Sequence, residues 1–183
     1  ELQGANPNAQ QTVDNTLIAL DGTENKENLG ANAILSVSLA VCDAAAKSQN
    51  IPLYQHINSV YGLQVTGAAL PIPLLLMLEG GKHGNAMIDF QEFMIAPRGG
   101  SSYEKNLETG TTIYRILRGI LDESGYATTT GEEGGFSPEN LNLNAALELL
   151  EKSIEQSSAA GSEIALDIAA NSFSFGNIYK LKG

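Results

Sequence analysis

The chain has 183 residues, of which 43% are hydrophobic, and a formal net charge of -11 from 21 acidic and 10 basic side chains. This composition is typical of a globular protein, and an acidic surface repels phosphate backbones, so we expect no nucleic-acid partner. No apolar run reaches the roughly 18 residues needed to cross a bilayer, so we expect no membrane partner. The first residues lack the basic and apolar segments of a signal peptide, and the single cysteine, Cys42, suits the reducing cytoplasm.

The same composition restricts the metals that the chain can bind. Two histidines and one cysteine do not supply the ligands of a typical zinc site. Any bound metal is therefore expected to take oxygen ligands, which favours Mg²⁺ or a similar hard cation.

The first third of the chain is predicted to be helical. Apolar spacing predicts helices over residues 8–20 and 31–47, and one further turn over residues 54–58. In the first helix, Val13, Leu17 and Leu20 are expected to share a buried face, and Asp21-Gly22 to end the helix. Residues 64–69 are interpreted as a linker.

The remainder is predicted to mix strands and helices. Continuous or alternating apolar runs predict strands over residues 71–78, 87–95, 127–130 and 163–169. A capping box at Ser101–Glu104 is expected to open a helix that ends near residue 123, and residues 144–156 form a second helix. Strands that alternate with helices indicate an α/β sheet or barrel, whose active site is expected at the C-terminal ends of the strands.

Four polar positions follow or interrupt these strands and are candidates for chemistry. His83 follows Gly80-Gly81 after a buried strand, and it is either a proton carrier or a solvated loop residue. Glu92 lies among apolar strand residues, where a carboxylate is costly to bury, unless it faces solvent on an edge strand.

The other two candidates are Glu133 and Asp167. Glu133 adjoins Glu132 in a glycine-rich segment, where repulsion between neighbouring acids favours a general acid, but a solvated acidic turn is the alternative. Asp167 lies in a strand of small side chains and needs a partner, which is either a cation or a salt bridge. Together these four residues predict one acidic rim that requires a metal ion.

The chain resembles the enolases closely over nearly its whole length. Two segments, LDGTENK (residues 20–26) and LGANAIL (29–35), resemble the signature of the family's N-terminal domain. Four further segments match the family's motifs in the same order, namely GGKH (80–83), QEFMI (91–95), GEEGGF (131–136) and LDIAA (166–170). The resemblance implies the C-terminal part of an α+β N-terminal domain over residues 1–68. It implies the first part of a modified α/β (TIM) barrel, incomplete in this chain, over residues 69–183.

The resemblance also implies a function. Enolases are lyases of glycolysis that use Mg²⁺ to dehydrate 2-phosphoglycerate reversibly to phosphoenolpyruvate and water, and they form dimers or larger homo-oligomers in the cytoplasm. By this resemblance Glu133 takes part in protonating the departing hydroxyl, with Glu92 beside it at the substrate. His83 contacts the substrate, and Asp167 is the first carboxylate ligand of Mg²⁺.

Three positions depart from the family pattern. Glu79 stands where asparagine is usual, Lys82 replaces the serine of many members, and Glu132 replaces a common aspartate. None of these departures removes a motif acid.

Several functional residues of the family have no counterpart in this chain. The lysine base, two later metal carboxylates and the phosphate-binding residues are absent, and residues 70–183 are fewer than half of the roughly 250 that a barrel needs. We therefore expect the 183 residues alone to be inactive and to belong to a longer enzyme. One alternative is a truncated, non-catalytic enolase-like protein with a binding or structural role. Another is a superfamily member that acts on a different carboxylate, which the motifs at 91–95 and 131–138 argue against.

Overall fold

A computed structural model describes residues 1–63, 70–82, 84 and 88–181. Contacts divide the chain into two compact units, Glu1–Ala68 and Ala69–Gly183. The described part of the first unit, residues 1–63, contains three helices: α1 (Gln10–Asp21), α2 (Ala31–Ser48) and α3 (Leu53–Tyr61). The described part of the second unit contains, in chain order, β1 (Leu75–Glu79), β2 (Glu92–Ala96), α4 (Tyr103–Glu123), α5 (Leu143–Ser157), β3 (Glu163–Asp167), a 3₁₀ turn (Ala170–Phe173), β4 (Ser174–Phe175) and β5 (Ile178–Tyr179).

The first unit is helical, as predicted, and has a small apolar core. Val13 and Leu17 of α1 pack against Ile34 of α2. Leu20 was expected on the same face but is 50% exposed. The buried stripe of α1 instead ends at Asp21, because the following loop supplies hydrogen-bond donors to that carboxylate. The linker predicted for residues 64–69 lies outside the described residues.

Asp21 braces the loop between α1 and α2. Its carboxylate accepts the backbone N–H of Leu29 at 2.7 Å and that of Thr23 at 3.1 Å, and it also accepts the Thr23 hydroxyl. These hydrogen bonds, chiefly the one from Leu29, lower the pKa of the Asp21 carboxyl below its usual value. Gly22 has a φ of 70°, which lets the chain leave α1 at this point. This part of the family signature therefore fixes the turn between two helices.

Within the described residues, the main sheet of the second unit has the order β1-β2-β3, and both pairings are antiparallel. β1 begins later than predicted, at Leu75, because Pro71 and Pro73 lack the N–H that strand pairing requires. β2 also begins later, at Glu92, since residues 88–90 bend, while Met87 lies outside the described residues.

The strand predicted over residues 127–130 is not formed. Thr130 makes a single antiparallel bridge to Phe136, and Phe136 makes a single parallel bridge to Leu78. The chain turns at once after Thr130, and the N–H of Gly131 donates to the carbonyl of Gly135 at 2.9 Å. Such a tight loop leaves no room for an extended ladder.

Helices α4 and α5 supply the rest of the core. Within β2 the side chains alternate, because Phe93 and Ile95 are fully buried whereas Glu92 and Met94 are only half-buried. Phe93 and Ile95 pack in one cluster with the inward side chains of the strands and helices, which include Met77, Leu78, Ile113, Leu117, Leu121, Ala146 and Leu150.

Helix α4 begins one residue later than the predicted capping box, since Ser102 rather than Ser101 accepts the Lys105 N–H. The second unit contains both helices and strands, as predicted for an α/β fold, and two adjacent strands precede its first described helix, α4. No helix in the described part of the chain is both long and apolar enough to span a membrane.

Two glycines of α4 provide a matched test of its packing. A methyl group at Gly110 would lie 1.8 Å from Leu75 Cδ1, whereas one at Gly119 would meet no atom within 4 Å. We expect Gly119→Ala to raise the free energy of unfolding by about 0.5–1 kcal/mol, because alanine is the better helix former. Gly110→Ala gains the same helical preference but must displace Leu75, which costs about 1–3 kcal/mol.

Urea denaturation of the two variants measures this difference. Gly110→Ala should be the less stable of the two. Equal stabilities would show that α4 does not approach β1 closely at Gly110.

Candidate active site

Three acidic residues lie side by side on neighbouring strands, in a row along the edge of the sheet where β1 and β3 end. Glu79, the last residue of β1, pairs with Glu92, and Glu92 pairs with Asp167, the last residue of β3. Residues directly opposite in antiparallel strands place their side chains on the same face of the sheet. Since Phe93 and Ile95 face the helical core, the three acids lie on the opposite face. Glu79 is buried, Glu92 is half-buried and Asp167 is exposed.

The position of Glu92 within its strand differs from the expectation that site residues lie at the C-terminal ends of strands. Glu92 is the first residue of β2. Because β2 runs antiparallel to both neighbours, its beginning lies beside the ends of β1 and β3. The direction of β2 therefore brings Glu92 to the same edge as Asp167.

Residues 131–135, which we call the acid loop, are attached to this row through Glu79. The Glu79 Oε1 atom accepts the N–H of Gly135 at 2.5 Å and the N–H of Glu133 at 3.1 Å. Glu79 is in turn the strand partner of Glu92. The structure thus brings the backbone of Glu133 to the acidic row, and the Glu133 side chain is exposed there.

Two aromatic residues hold the other end of the acid loop. Phe136 donates its N–H to Met77 at 2.8 Å and accepts the N–H of Glu79 at 2.9 Å, so it is fastened to β1. The ring of Tyr114 stacks on that of Phe136 with centroids 4.3 Å apart, and its hydroxyl donates to the Gly134 carbonyl at 2.7 Å. The pKa of Tyr114 is raised above its ordinary value, chiefly by burial. The positive charge of Arg118 lowers this pKa, and the negative charge of Glu79 raises it. Tyr114 therefore keeps its proton at neutral pH and remains a donor.

Asp167 stands at the start of a turn. Its Oδ1 atom accepts the N–H of Ala169 at 2.9 Å, and its carbonyl accepts the N–H of Gln91 at 3.1 Å. Asp167 lines a cleft of about 630 Å³ together with Gln91 and Lys82. Among the described residues, no three or more Asp, Glu, His or Cys side chains lie close enough together to hold a metal ion by themselves. As an exposed carboxylate beside this cleft, Asp167 fits the requirement for one oxygen ligand of a hard cation.

His83, the fourth residue predicted for the site, lies outside the described residues. Its neighbours Lys82 and Gly84 are described, and both line clefts of about 560 Å³ and 520 Å³. The second of these clefts is also lined by Glu132 of the acid loop.

Comparison with known proteins decides the family. Residues 1–57 match the family model of the enolase N-terminal domain, and residues 67–183 match that of the enolase C-terminal TIM barrel domain. The chain belongs to the enolase family. It is 43% identical over 183 residues to "Enolase 1" of Methylococcus capsulatus (strain ATCC 33009 / NCIMB 11132 / Bath). That match covers 98% of this chain and 42% of the relative, so the chain spans less than half of the length of this enolase.

Two residues of the candidate site were not among the predicted site residues. Glu79 binds the acid loop, and Lys82 lines all three clefts described above. The sequence did carry a signal for both, since each departs from the usual residue of the enolase motif. The signal was weak because an acid at the end of an apolar strand does not reveal which backbone N–H groups it accepts.

The hydroxyl of Tyr114 can be tested apart from its ring. Tyr114→Phe keeps the stacking on Phe136 but loses the hydrogen bond to Gly134, which costs about 0.5–1.5 kcal/mol of stability. We expect amide hydrogen exchange over residues 131–136 of the intact protein to become faster. Tyr103→Phe, at an exposed position of the same helix, is the control and should leave this exchange unchanged. Unchanged exchange in Tyr114→Phe would mean that the hydroxyl does not hold the acid loop.

Proposed function

We propose that the intact protein is a phosphopyruvate hydratase, a lyase that reversibly dehydrates 2-phosphoglycerate to phosphoenolpyruvate in glycolysis. The supporting observation is the acidic edge of the sheet, where strand pairing aligns Glu92 with Asp167 and Glu79 binds the backbone of Glu133. Membership of the enolase family supplies the reaction that such an edge serves.

In this proposal the acids of the chain have separate roles. Glu133, exposed on the acid loop, gives a proton to the departing hydroxyl, which leaves as water, while Glu92 lies beside it at the substrate. His83 contacts the substrate. The proton on the carbon next to the substrate carboxylate is removed by a lysine base, which the resemblance places outside these 183 residues. A positioned acid of this kind typically contributes roughly 10²–10⁴-fold to the rate.

Mg²⁺ is the proposed cofactor, and Asp167 is one of its ligands. A bound Mg²⁺ would stabilise negative charge that develops on the substrate carboxylate. The short strand β3 and the hydrogen bond from Ala169 hold Asp167 in a fixed orientation, which suits a ligand better than a mobile acid.

The remaining parts of the proposal concern the whole protein. We propose a cytoplasmic homo-oligomer, a dimer or larger, as the family resemblance implies. We also propose the domain division at residues 1–68 and 69–183, which is supported by the two compact units and by the two family matches. Residues 1–183 by themselves are proposed to be inactive, because the lysine base and the later metal carboxylates of the family are not among them.

Two amide substitutions separate the proposed roles of acid and ligand. Glu133→Gln keeps the size of the side chain but removes the transferable proton, so turnover of 2-phosphoglycerate should fall by about 10²–10⁴-fold at every Mg²⁺ concentration. Asp167→Asn removes a charged hard ligand, so its loss should appear as a higher Mg²⁺ requirement that excess Mg²⁺ partly restores. The measurement is phosphoenolpyruvate formation as a function of Mg²⁺ concentration.

The exposed acid Glu139 lies outside the acid loop, and Glu139→Gln is the control, expected to behave like the wild type. If excess Mg²⁺ restored Glu133→Gln and not Asp167→Asn, the two roles would be reversed. If the unmodified protein formed no phosphoenolpyruvate, the proposed function itself would be wrong.

The intact mass of the natural polypeptide distinguishes this enzyme from the truncated, non-catalytic alternative. The 183 residues have a mass of 19.3 kDa. An active enolase is expected to be more than twice as heavy, because this segment covers 42% of its relative. A mass of 19.3 kDa for the purified natural protein would favour the non-catalytic reading.

A further inference from the structure

Glu79 is a buried carboxylate to which the proposed mechanism assigns no role. It is 2% exposed, and its Oε1 atom accepts two backbone N–H groups. Its Oε2 atom is also buried and has no hydrogen-bond partner among the described residues. Burying a carboxyl group with one unsatisfied oxygen is costly. The contacts made by Oε1 must therefore offset that cost, and they lead to the acid loop.

We propose that Glu79 is a positioning residue, which sets the place of the Glu133 carboxyl by holding the backbone of the acid loop. This inference rests on the proposed role of Glu133 as the acid of the reaction. Glu79 itself touches the loop and is not assigned a contact with the substrate.

The two hydrogen bonds fix the loop on both sides of Gly134. One oxygen atom accepts from Glu133 and from Gly135, so the chain must reverse tightly between them, and Gly134 does so with a φ of 95°. A non-glycine residue rarely adopts this conformation. With both N–H groups bound to one atom, the backbone of Glu133 has a defined distance from the end of β1.

Close packing reinforces the contact. A methyl group at Gly135 would lie 2.9 Å from Glu79 Cγ and 3.0 Å from Leu76 Cγ. The loop backbone thus lies directly against the Glu79 side chain, with no space for a residue larger than glycine.

The other anchors of the loop do not replace Glu79. Tyr114 binds the carbonyl of Gly134, and Phe136 is fastened to β1 beyond the end of the loop. Glu79 accepts a hydrogen bond from the backbone N–H of Glu133 itself. The position of Glu79 is in turn fixed by its pairing with Glu92 in the sheet. Glu79 therefore links the acid loop to the strand that carries another proposed site residue.

Two substitutions of similar length separate the acceptor from the charge. Glu79→Gln and Glu79→Met both remove the carboxylate, but glutamine keeps an oxygen that accepts the two N–H groups, whereas methionine has no comparable acceptor. In the intact protein, Glu79→Met should speed amide exchange over residues 131–136. It should also lower kcat for 2-phosphoglycerate by about 10–100-fold, with KM changed little, since a displacement of about 1 Å costs up to about 10²-fold. Glu79→Gln should retain slow exchange and most of the activity.

The outcomes that overturn the inference are distinct from failure of the proposed function. Wild-type exchange and kcat in Glu79→Met would overturn it, as would an equal loss of kcat in both variants without faster loop exchange. If Glu79→Met does not fold, Gly135→Ala decides instead, because its methyl group displaces Glu79. Faster exchange with lower kcat would then support the inference, and unchanged values would overturn it. A wild-type protein that does not dehydrate 2-phosphoglycerate would defeat the proposed function, while the exchange measurement still shows whether Glu79 holds the loop.

Discussion

The pairing of Glu79 with Glu92, and of Glu92 with Asp167, is the constraint on which the candidate site depends. A shift of one residue in either strand pair would turn the acids toward the helical core. The apolar residues that prevent this shift are Phe93 and Ile95, both fully buried under α4 and α5. The hydrophobic core therefore positions the acids, although it contains none of them, and burial on one face of the sheet determines chemistry on the other.

Placing several acids at one edge of a sheet has an electrostatic consequence. Neighbouring carboxylates repel one another, and the repulsion is stronger where water is partly excluded. Different contacts offset this repulsion at different carboxylates. Glu79 accepts two backbone N–H groups, and Asp167 accepts one from its own turn. Lys82 lines clefts beside the row and is a cation of this region. A divalent cation at Asp167 would reduce the repulsion further, which is why the acidic edge and the proposed Mg²⁺ support each other.

The sequence predicted most of the fold because the long elements are strongly periodic. Helices α1, α2, α4 and α5 are where apolar spacing placed them, within a few residues at each end. Two failures have physical reasons: prolines shortened the first strand, and the tight loop after Thr130 prevented the predicted strand at residues 127–130. The sequence also indicated Glu92, Glu133 and Asp167 as candidates. At Glu79 it showed only a departure from the usual motif residue and not a role, because that role depends on which N–H groups fold back onto β1. The catalytic and ligand roles remain predictions.

The direction of β2 accounts for two adjacent strands at the start of the sheet, where a strict alternation of strands and helices would place a helix between them. Glu79 and Asp167 end their strands, whereas Glu92 begins its strand. In a sheet of parallel strands, the first residue of a strand lies at the opposite edge from the last residues of its neighbours, so Glu92 would be about four residues, or roughly 13 Å, away from the other two. The antiparallel start removes this separation. Antiparallel pairing of β1 with β2, which does not require a crossover helix between the strands, is therefore the structural condition for bringing Glu92 to the acidic edge.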